Sequence, residues 1–210
     1  AVVRMFEQYL EPDTFRDGIR QYLASHAYAN TETTDLWDAL EATSGQPVRR
    51  IMDSWIFQGG FPVIDVDIVN DGGTLRLTQE RFGYAGDIGE GDPEVDRSLA
   101  AERWAVPVIF SQSANGIVTF EKALLDGDSL DIDLFEAVDW VLANTEGTGF
   151  YRAQYAPDIR AALDAHAQRQ LSPIERYGLI DDAWAATLAD RLHAGAFLDL
   201  ALGFEGEDDL

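Results

Sequence analysis

The chain contains no cysteine, so neither a disulfide framework nor thiol chemistry can be built from it. Histidine is almost as scarce: His26, His166 and His193 are the full set in 210 residues. No two of them stand four apart and no H-E-x-x-H occurs, so the usual signature of a catalytic zinc on one helix face is missing. Basic residues are few, 15 Lys and Arg against 38 Asp and Glu, for a formal charge of −23. That balance argues against nucleic acid and anionic membrane as partners, since both need a basic surface, and an acidic substrate is repelled. No apolar run approaches the roughly 18 residues of a membrane span. A basic then apolar leader with a cleavage site is absent too, and the chain opens at Ala1 without an initiator methionine, as expected of a trimmed piece. A cytoplasmic location is the expectation from these absences.

What is present is ample material for packed cores: 46% apolar residues, with 5 Trp, 11 Phe and 7 Tyr. The length allows one large domain or two to three small ones. The first sixty residues carry helical periodicity. Val2, Val3, Phe6 and Leu10 form a stripe that stops at Pro12; Asp13 is a candidate N-cap for a second helix bearing Phe15, Ile19, Tyr22 and Leu23. Leu36, Trp37 and Leu40 mark a third helix, ended by Ser44-Gly45. A fourth has Pro47 at its first position, followed by Val48, Ile51, Met52, Trp55 and Ile56 at i, i+3, i+4, i+7 and i+8.

After Gly59-Gly60 the period changes from 3.6 to 2. Ile64, Val66 and Ile68 alternate with acids, and Leu75 and Leu77 alternate with Arg76 and Thr78. Trp104, Val106, Val108 and Phe110 share one face of a third strand, where Pro107 suggests an edge position. Val118 with Phe120, Leu130 with Ile132 and Leu134, Trp140 to Leu142 and Phe150 to Tyr155 bring the count to about seven strands. With no helical crossovers between them, an antiparallel β-sandwich is expected. The glycine-rich acidic stretch between Arg81 and Arg103 is expected to be a mobile surface loop. From Pro157 the pattern is helical again. Ser172-Pro173-Ile174-Glu175 is a capping box, Ile180, Ala183, Trp184 and Leu188 supply the expected buried stripe, and Ala196, Phe197, Leu200 and Ala201 begin another helix.

Candidate chemistry is thin. Asp87, Glu90, Asp92, Glu94 and Asp96 miss the alternate-position template of a calcium loop, and Gly86, Gly89 and Gly91 lack the Lys-Ser/Thr of a phosphate loop. No G-x-S-x-G occurs. Asp181-Asp182 lies on a helix where one of the two is expected to face water, a poor setting for general acid–base work. His26 is expected to bond helix carbonyls at a helix end rather than to ligate a metal. The five tryptophans, Trp37, Trp55, Trp104, Trp140 and Trp184, are expected in the core. The acidic surplus reads either as a solvated surface or as a field steering cationic peptide N-termini. On these grounds no catalytic, cofactor-binding or metal-binding residue is assigned.

Several spaced motifs nevertheless resemble one family. Phe15, Gly18, Tyr22, Leu23, Tyr28, Asn30, Thr31, Asp35, Leu36 and Trp37 resemble the F-x-x-G-[IV]-x-x-Y-L…Y-x-N-[AT]-x-x-x-D-L-W run of the aminopeptidase N and puromycin-sensitive aminopeptidase family. Met52, Trp55, Gln58, Gly60, Phe61 and Pro62 resemble its M-x-x-W-x-x-Q-x-G-[FY]-P junction. Trp104 to Val108 is similar to its W-x-[IV]-P-[IVL] strand, and Gly149 to Tyr155 to its G-[YF]-[YF]-R-V-x-Y segment. Leu171-Ser172-Pro173 through Asp181-Asp182-Ala183 resembles the opening of its C-terminal helical domain.

The resemblance implies an α+β multidomain fragment. Residues 1–61 are then the helical tail of a thermolysin-like catalytic domain, 62–155 a seven-stranded antiparallel β-sandwich, and 156–210 the start of an α-helical solenoid domain. It also implies a parent enzyme that removes N-terminal residues from peptides with a zinc ion. The family's zinc ligands, its amine-binding Glu and its catalytic Tyr all fall upstream of Ala1, so this piece is expected to bind no zinc and to supply packing and chamber wall. The alternative is a catalytically dead scaffold or protein-binding module. Substrate preference and oligomeric state are left open.

Overall fold

The junction between the fourth helix and the first strand organises the molecule, and its polar atoms explain its sequence. In the computed structural model, which describes residues 1–85, 98–134 and 136–207 (the side chain of Gln168 excepted), four helices lead into the strands. They are α1 (Val2–Leu10), α2 (Pro12–Ser25), α3 (Thr33–Ser44) and α4 (Val48–Ile56). The strands are β1 (Pro62–Val69), β2 (Thr74–Arg81), β3 (Ala105–Ala114), β4 (Ile117–Asp126), β5 (Ser129–Asp133), β6 (Trp140–Leu142) and β7 (Arg152–Tyr155). Trp55 and Gln58, three apart on the last turn of α4 and just beyond it, reach two carbonyls spaced two apart along the start of β3. Trp55 Nε1 donates to Ala105 O at 3.0 Å and Gln58 Nε2 to Arg103 O at 2.9 Å. Ser54 Oγ accepts the Ala105 N–H at 3.0 Å. Helix and strand are thus held edge to end by side chains that satisfy backbone groups at the strand's entry.

The helix limits follow local chemistry with small displacements. Pro12 occupies the first position of α2 and Glu11, at φ 73°, is its N-cap; the expected cap at Asp13 lies inside the helix. Pro47 is the N-cap of α4 rather than its first residue. Gly45 ends α3 in the left-handed conformation at φ 68°, as Ser44-Gly45 foretold. Gly18 is the buried residue of α2, and a Cβ there would lie 2.6 Å from Leu40 Cδ2 and 3.2 Å from Leu40 Cα. The α2–α3 approach therefore depends on its missing side chain. Val3, Leu23 and Ile56, expected on the apolar stripes, are exposed; α1 buries Met5, Phe6 and Leu10, and α4 buries Val48, Ile51, Met52 and Trp55.

The strands form two sheets, ordered β5-β2-β1-β7 and β4-β3-β6. Ile64, Val66, Leu75 and Leu77 from one sheet and Val106, Val108, Phe110 and Leu125 from the other enter the same buried cluster. Two expectations are corrected here. β7 pairs parallel to β1, with Val63 beside Arg152 and Val66 beside Tyr155, so the strands are not all antiparallel. The chain leaves β6 in the other sheet, turns through a 3-10 turn at Thr145–Gly147 and enters the sheet edge running with β1. β3 is the middle strand of its sheet, not an edge. Pro107 is tolerated because β6 reaches only Ser111 to Ser113, leaving β4 as the sole strand neighbour at that height.

Three helices follow: α5 (Pro157–Gln170), α6 (Pro173–Leu188) and α7 (Ala194–Leu202). The capping box at Ser172 and Glu175 forms as read, with Pro173 at the first helical position. The buried face of α6, however, carries Leu179, Ala183 and Ala186. Trp184 is 47% exposed and Leu188 44%, so that helix is turned relative to its expected stripe and Trp184 is not a core residue. One buried cluster runs from Met5 and Phe6 of α1 through both sheets to Leu163, Leu179 and Phe204. The fold class is α+β. Among the described residues no helix is long and apolar enough to cross a membrane.

Candidate functional site

Where β7 meets α6 the surface opens into a cleft of about 270 Å³. The loop before β7 is built for a tight approach. Asn144 Oδ1 accepts the Gly149 N–H at 2.8 Å, and a Cβ on Gly149 would sit 2.3 Å from the Tyr151 ring and 2.9 Å from Asn144 Oδ1. Two phenols then clamp both backbone groups of one residue: the Tyr151 hydroxyl donates to Ala143 O, and the Tyr155 hydroxyl accepts the Ala143 N–H at 3.1 Å. Burial pushes both phenols well above the ordinary tyrosine range, so each stays protonated at neutral pH.

With the loop held, Arg152 projects toward α6, where its Nη1 donates to Asp181 and, at 3.1 Å, to Asp182 Oδ1. The other Asp182 oxygen accepts the Ala153 N–H at 3.0 Å. Burial pushes the Asp182 carboxyl up to about 6; the Ala153 N–H and the Arg152 guanidinium oppose that rise and Asp181 adds to it. Beside them Glu175, itself buried, accepts from Glu146 N at 3.0 Å, Ser172 N at 2.8 Å and Ser172 Oγ at 2.9 Å. The apolar walls are Phe61, Phe150 and Tyr177, and Gly178 leaves open space between them. The Phe61 and Phe150 rings stand 5.5 Å apart, and Phe150 continues into the core through Trp55 at 6.0 Å.

This arrangement is suited to holding a group rather than transforming one. Both Asp182 oxygens already accept structural hydrogen bonds. Its side chain is 11% exposed against 37% for Asp181, so one of the pair does face water, yet both are tied to Arg152. Sequence reasoning noticed the G-F-Y-R-A-Q-Y segment and the Asp-Asp pair separately and gave neither a partner. Their union depends on a chain separation of about thirty residues, which no local pattern encodes.

The three histidines are engaged locally. His26 ends α2 with its Nδ1 3.1 Å from Tyr22 O, the expected helix-end role, and its Nε2 lies 3.7 Å from Asp35. His166 Nδ1 is 2.8 Å from Ala162 O, and His193 caps α7 by accepting the Gly195 N–H at 3.1 Å. Among the described residues no three His, Asp or Glu side chains converge as a metal would require. Asp87, Glu90, Asp92, Glu94 and Asp96, with Gly86, Gly89 and Gly91, lie outside the described residues. Trp37, Trp55, Trp104 and Trp140 are buried as read.

Comparison with known proteins places these features in a lineage. The family described as Peptidase family M1 domain matches residues 1–55, and the ERAP1-like C-terminal domain matches residues 140–210. The whole chain aligns at 34% identity with Aminopeptidase M1 of Arabidopsis thaliana, covering 24% of that protein. It aligns at 34% with Tricorn protease-interacting factor F2 of Thermoplasma acidophilum, again 24% of its length, and at 33% with Puromycin-sensitive aminopeptidase of Caenorhabditis elegans, 22% of its length. The chain thus spans about a quarter of the curated relatives it matches. Matched at its two ends by these two family models and aligned throughout to named aminopeptidases, the chain is related over its whole length to a segment of the M1 aminopeptidases.

Proposed function

We propose that these 210 residues are the non-catalytic portion, following the active site, of a zinc-dependent aminopeptidase that removes N-terminal residues from peptides. The observation that carries this is the full-length alignment to aminopeptidases in a chain whose described residues group no metal ligands. In this reading the zinc is held by parts of the parent outside these residues, and none of the side chains described here takes part in the bond-breaking step.

The division of labour follows the same reading. Residues 1–61 close the back of the catalytic domain, 62–155 act as a β-sandwich spacer, and 156–210 open a helical array whose later hairpins cover α6 and α7. The exposed Trp184, Leu188, Leu198 and Leu202 support that last point, since a helical hairpin with both faces apolar needs a neighbour. The shared core supports a rigid frame rather than three loosely tethered parts. A cytoplasmic location belongs to the same proposal.

The test is the reading frame upstream of Ala1, expressed in full and assayed on an amino-acid anilide with and without a metal chelator. An H-E-x-x-H within about a hundred residues upstream and chelator-sensitive turnover are expected, with none from the 210 residues alone. An upstream frame lacking that motif, or turnover by the isolated chain, overturns the reading. The first of these outcomes favours a protein-binding scaffold, a role in keeping with the printed name of the Thermoplasma relative.

A further inference from the structure

The cleft holds two carboxylates and one guanidinium, an imbalance with a chemical consequence. Asp181 and Asp182 both draw on Arg152 Nη1, and Arg152 is the one cation among the described residues lining the cavity, so a single negative charge is left in excess among them. Asp181 is the partly exposed member of the pair and has no hydrogen-bond partner among the described residues besides Arg152. Around it stand Phe61, Phe150 and Tyr177, whose ring faces attract cations, with Tyr177 59% exposed at the mouth. The volume of about 270 Å³ is that of one long side chain rather than of a folded segment.

We propose that this cleft binds a cationic side chain of a peptide, arginine or lysine, with its charge against Asp181 and its aliphatic stem along Phe150 and Tyr177. An anionic group is disfavoured, because it would face both aspartates while the near nitrogen of Arg152 is already committed to them. A neutral apolar group fills the aromatic half and leaves Asp181 to be desolvated without compensation. Arg152 has a positioning role: by bonding both carboxylates it fixes the one that meets the ligand. The site needs no reaction to occur in it, so it stands or falls independently of the parent's peptidase activity.

The experiment titrates the complete 210-residue chain with N-acetyl-arginine amide and with its uncharged isostere, N-acetyl-citrulline amide, by calorimetry at about 0.15 M salt, where distant surface charges are screened. Saturable arginine binding is expected, with citrulline about tenfold weaker or undetectable, in line with a charge-assisted pair beside aromatic rings. Asp181→Asn is expected to remove about tenfold of the arginine affinity, and Tyr177→Ala several-fold, since its ring is exposed and its loss leaves the core intact. Asp13→Asn, on α2 outside the cleft, serves as a charge-matched control and is expected to bind as the parent chain does. Equal binding of citrulline, absence of saturation, or an equal loss in the Asp13 variant overturns the proposal. So does full affinity in Asp181→Asn or in Tyr177→Ala once either is shown by circular dichroism to be folded.

Discussion

Gln79 and Trp104 exchange two hydrogen bonds across the two sheets: the Gln79 Nε2 donates to Trp104 O at 2.7 Å, and its Oε1 accepts the Trp104 N–H at 2.9 Å. The same Nε2 also donates to Gly127 O at 2.7 Å. A buried side-chain amide on β2 thus acts as a strand partner for the residue that leads into β3, where no strand lies alongside. Gln79→Ala leaves the buried Trp104 N–H and O, and the partly buried Gly127 O, without this partner. A loss of about 2–4 kcal/mol is expected in urea unfolding; a loss below about 0.5 kcal/mol would show that water replaces the amide there.

Trp55 offers a cleaner separation of packing from hydrogen bonding. Trp55→Phe keeps an aromatic ring next to Trp104 and Phe150 but leaves Ala105 O without its side-chain donor. It is expected to lower stability by about 1–2 kcal/mol, whereas Trp55→Ala is expected to lower it by about 3–5 kcal/mol through the cavity it creates. Equal losses from the two variants would mean the hydrogen bond, not the ring, dominates.

Gly18→Ala tests the α2–α3 approach. Helix propensity alone predicts a gain of about 1 kcal/mol. The added methyl instead meets Leu40 Cδ2 at 2.6 Å and the Leu40 backbone at 3.2 Å, so a net loss of about 1–3 kcal/mol is expected, read as a lower melting temperature. Shortening the neighbour in Gly18→Ala/Leu40→Ala should return part of what the first change removes, relative to Leu40→Ala alone; strict additivity would rule out the contact as the cause.

Asp182 makes stability depend on pH in a stated direction. Burial pushes its folded carboxyl up to about 6, above the ordinary aspartate range, so the folded state binds that proton more tightly than the unfolded chain does. Stability from this group is therefore complete below the ordinary carboxylate range and is lost as pH rises through about 6. Between about pH 5 and about pH 7.5, the stability of the parent chain relative to Asp182→Asn should fall by about 1–1.5 kcal/mol. A difference that stays level across that window, or that grows with pH, would show that Arg152 keeps Asp182 ionised throughout.

The features that could be read from residues alone are those whose cause is local. The Ser172–Glu175 capping box, the Ser44-Gly45 helix end, the apolar face of α4 and the period-2 runs of β1, β2 and β3 arise from backbone preferences within a few residues. The change of period after Gly60 marked the passage from helices to strands for the same reason. The motif spacing that carried the resemblance is legible too, but its cause is tertiary: Trp55 and Gln58, three apart, reach the carbonyls of Ala105 and Arg103 at the entry to β3. Which side of α6 is buried, the parallel docking of β7 on β1 and the meeting of Arg152 with Asp181 and Asp182 have no such origin. They follow from which surfaces come together when one core closes over all seven strands and the flanking helices, and residues thirty positions apart carry no local mark of that encounter.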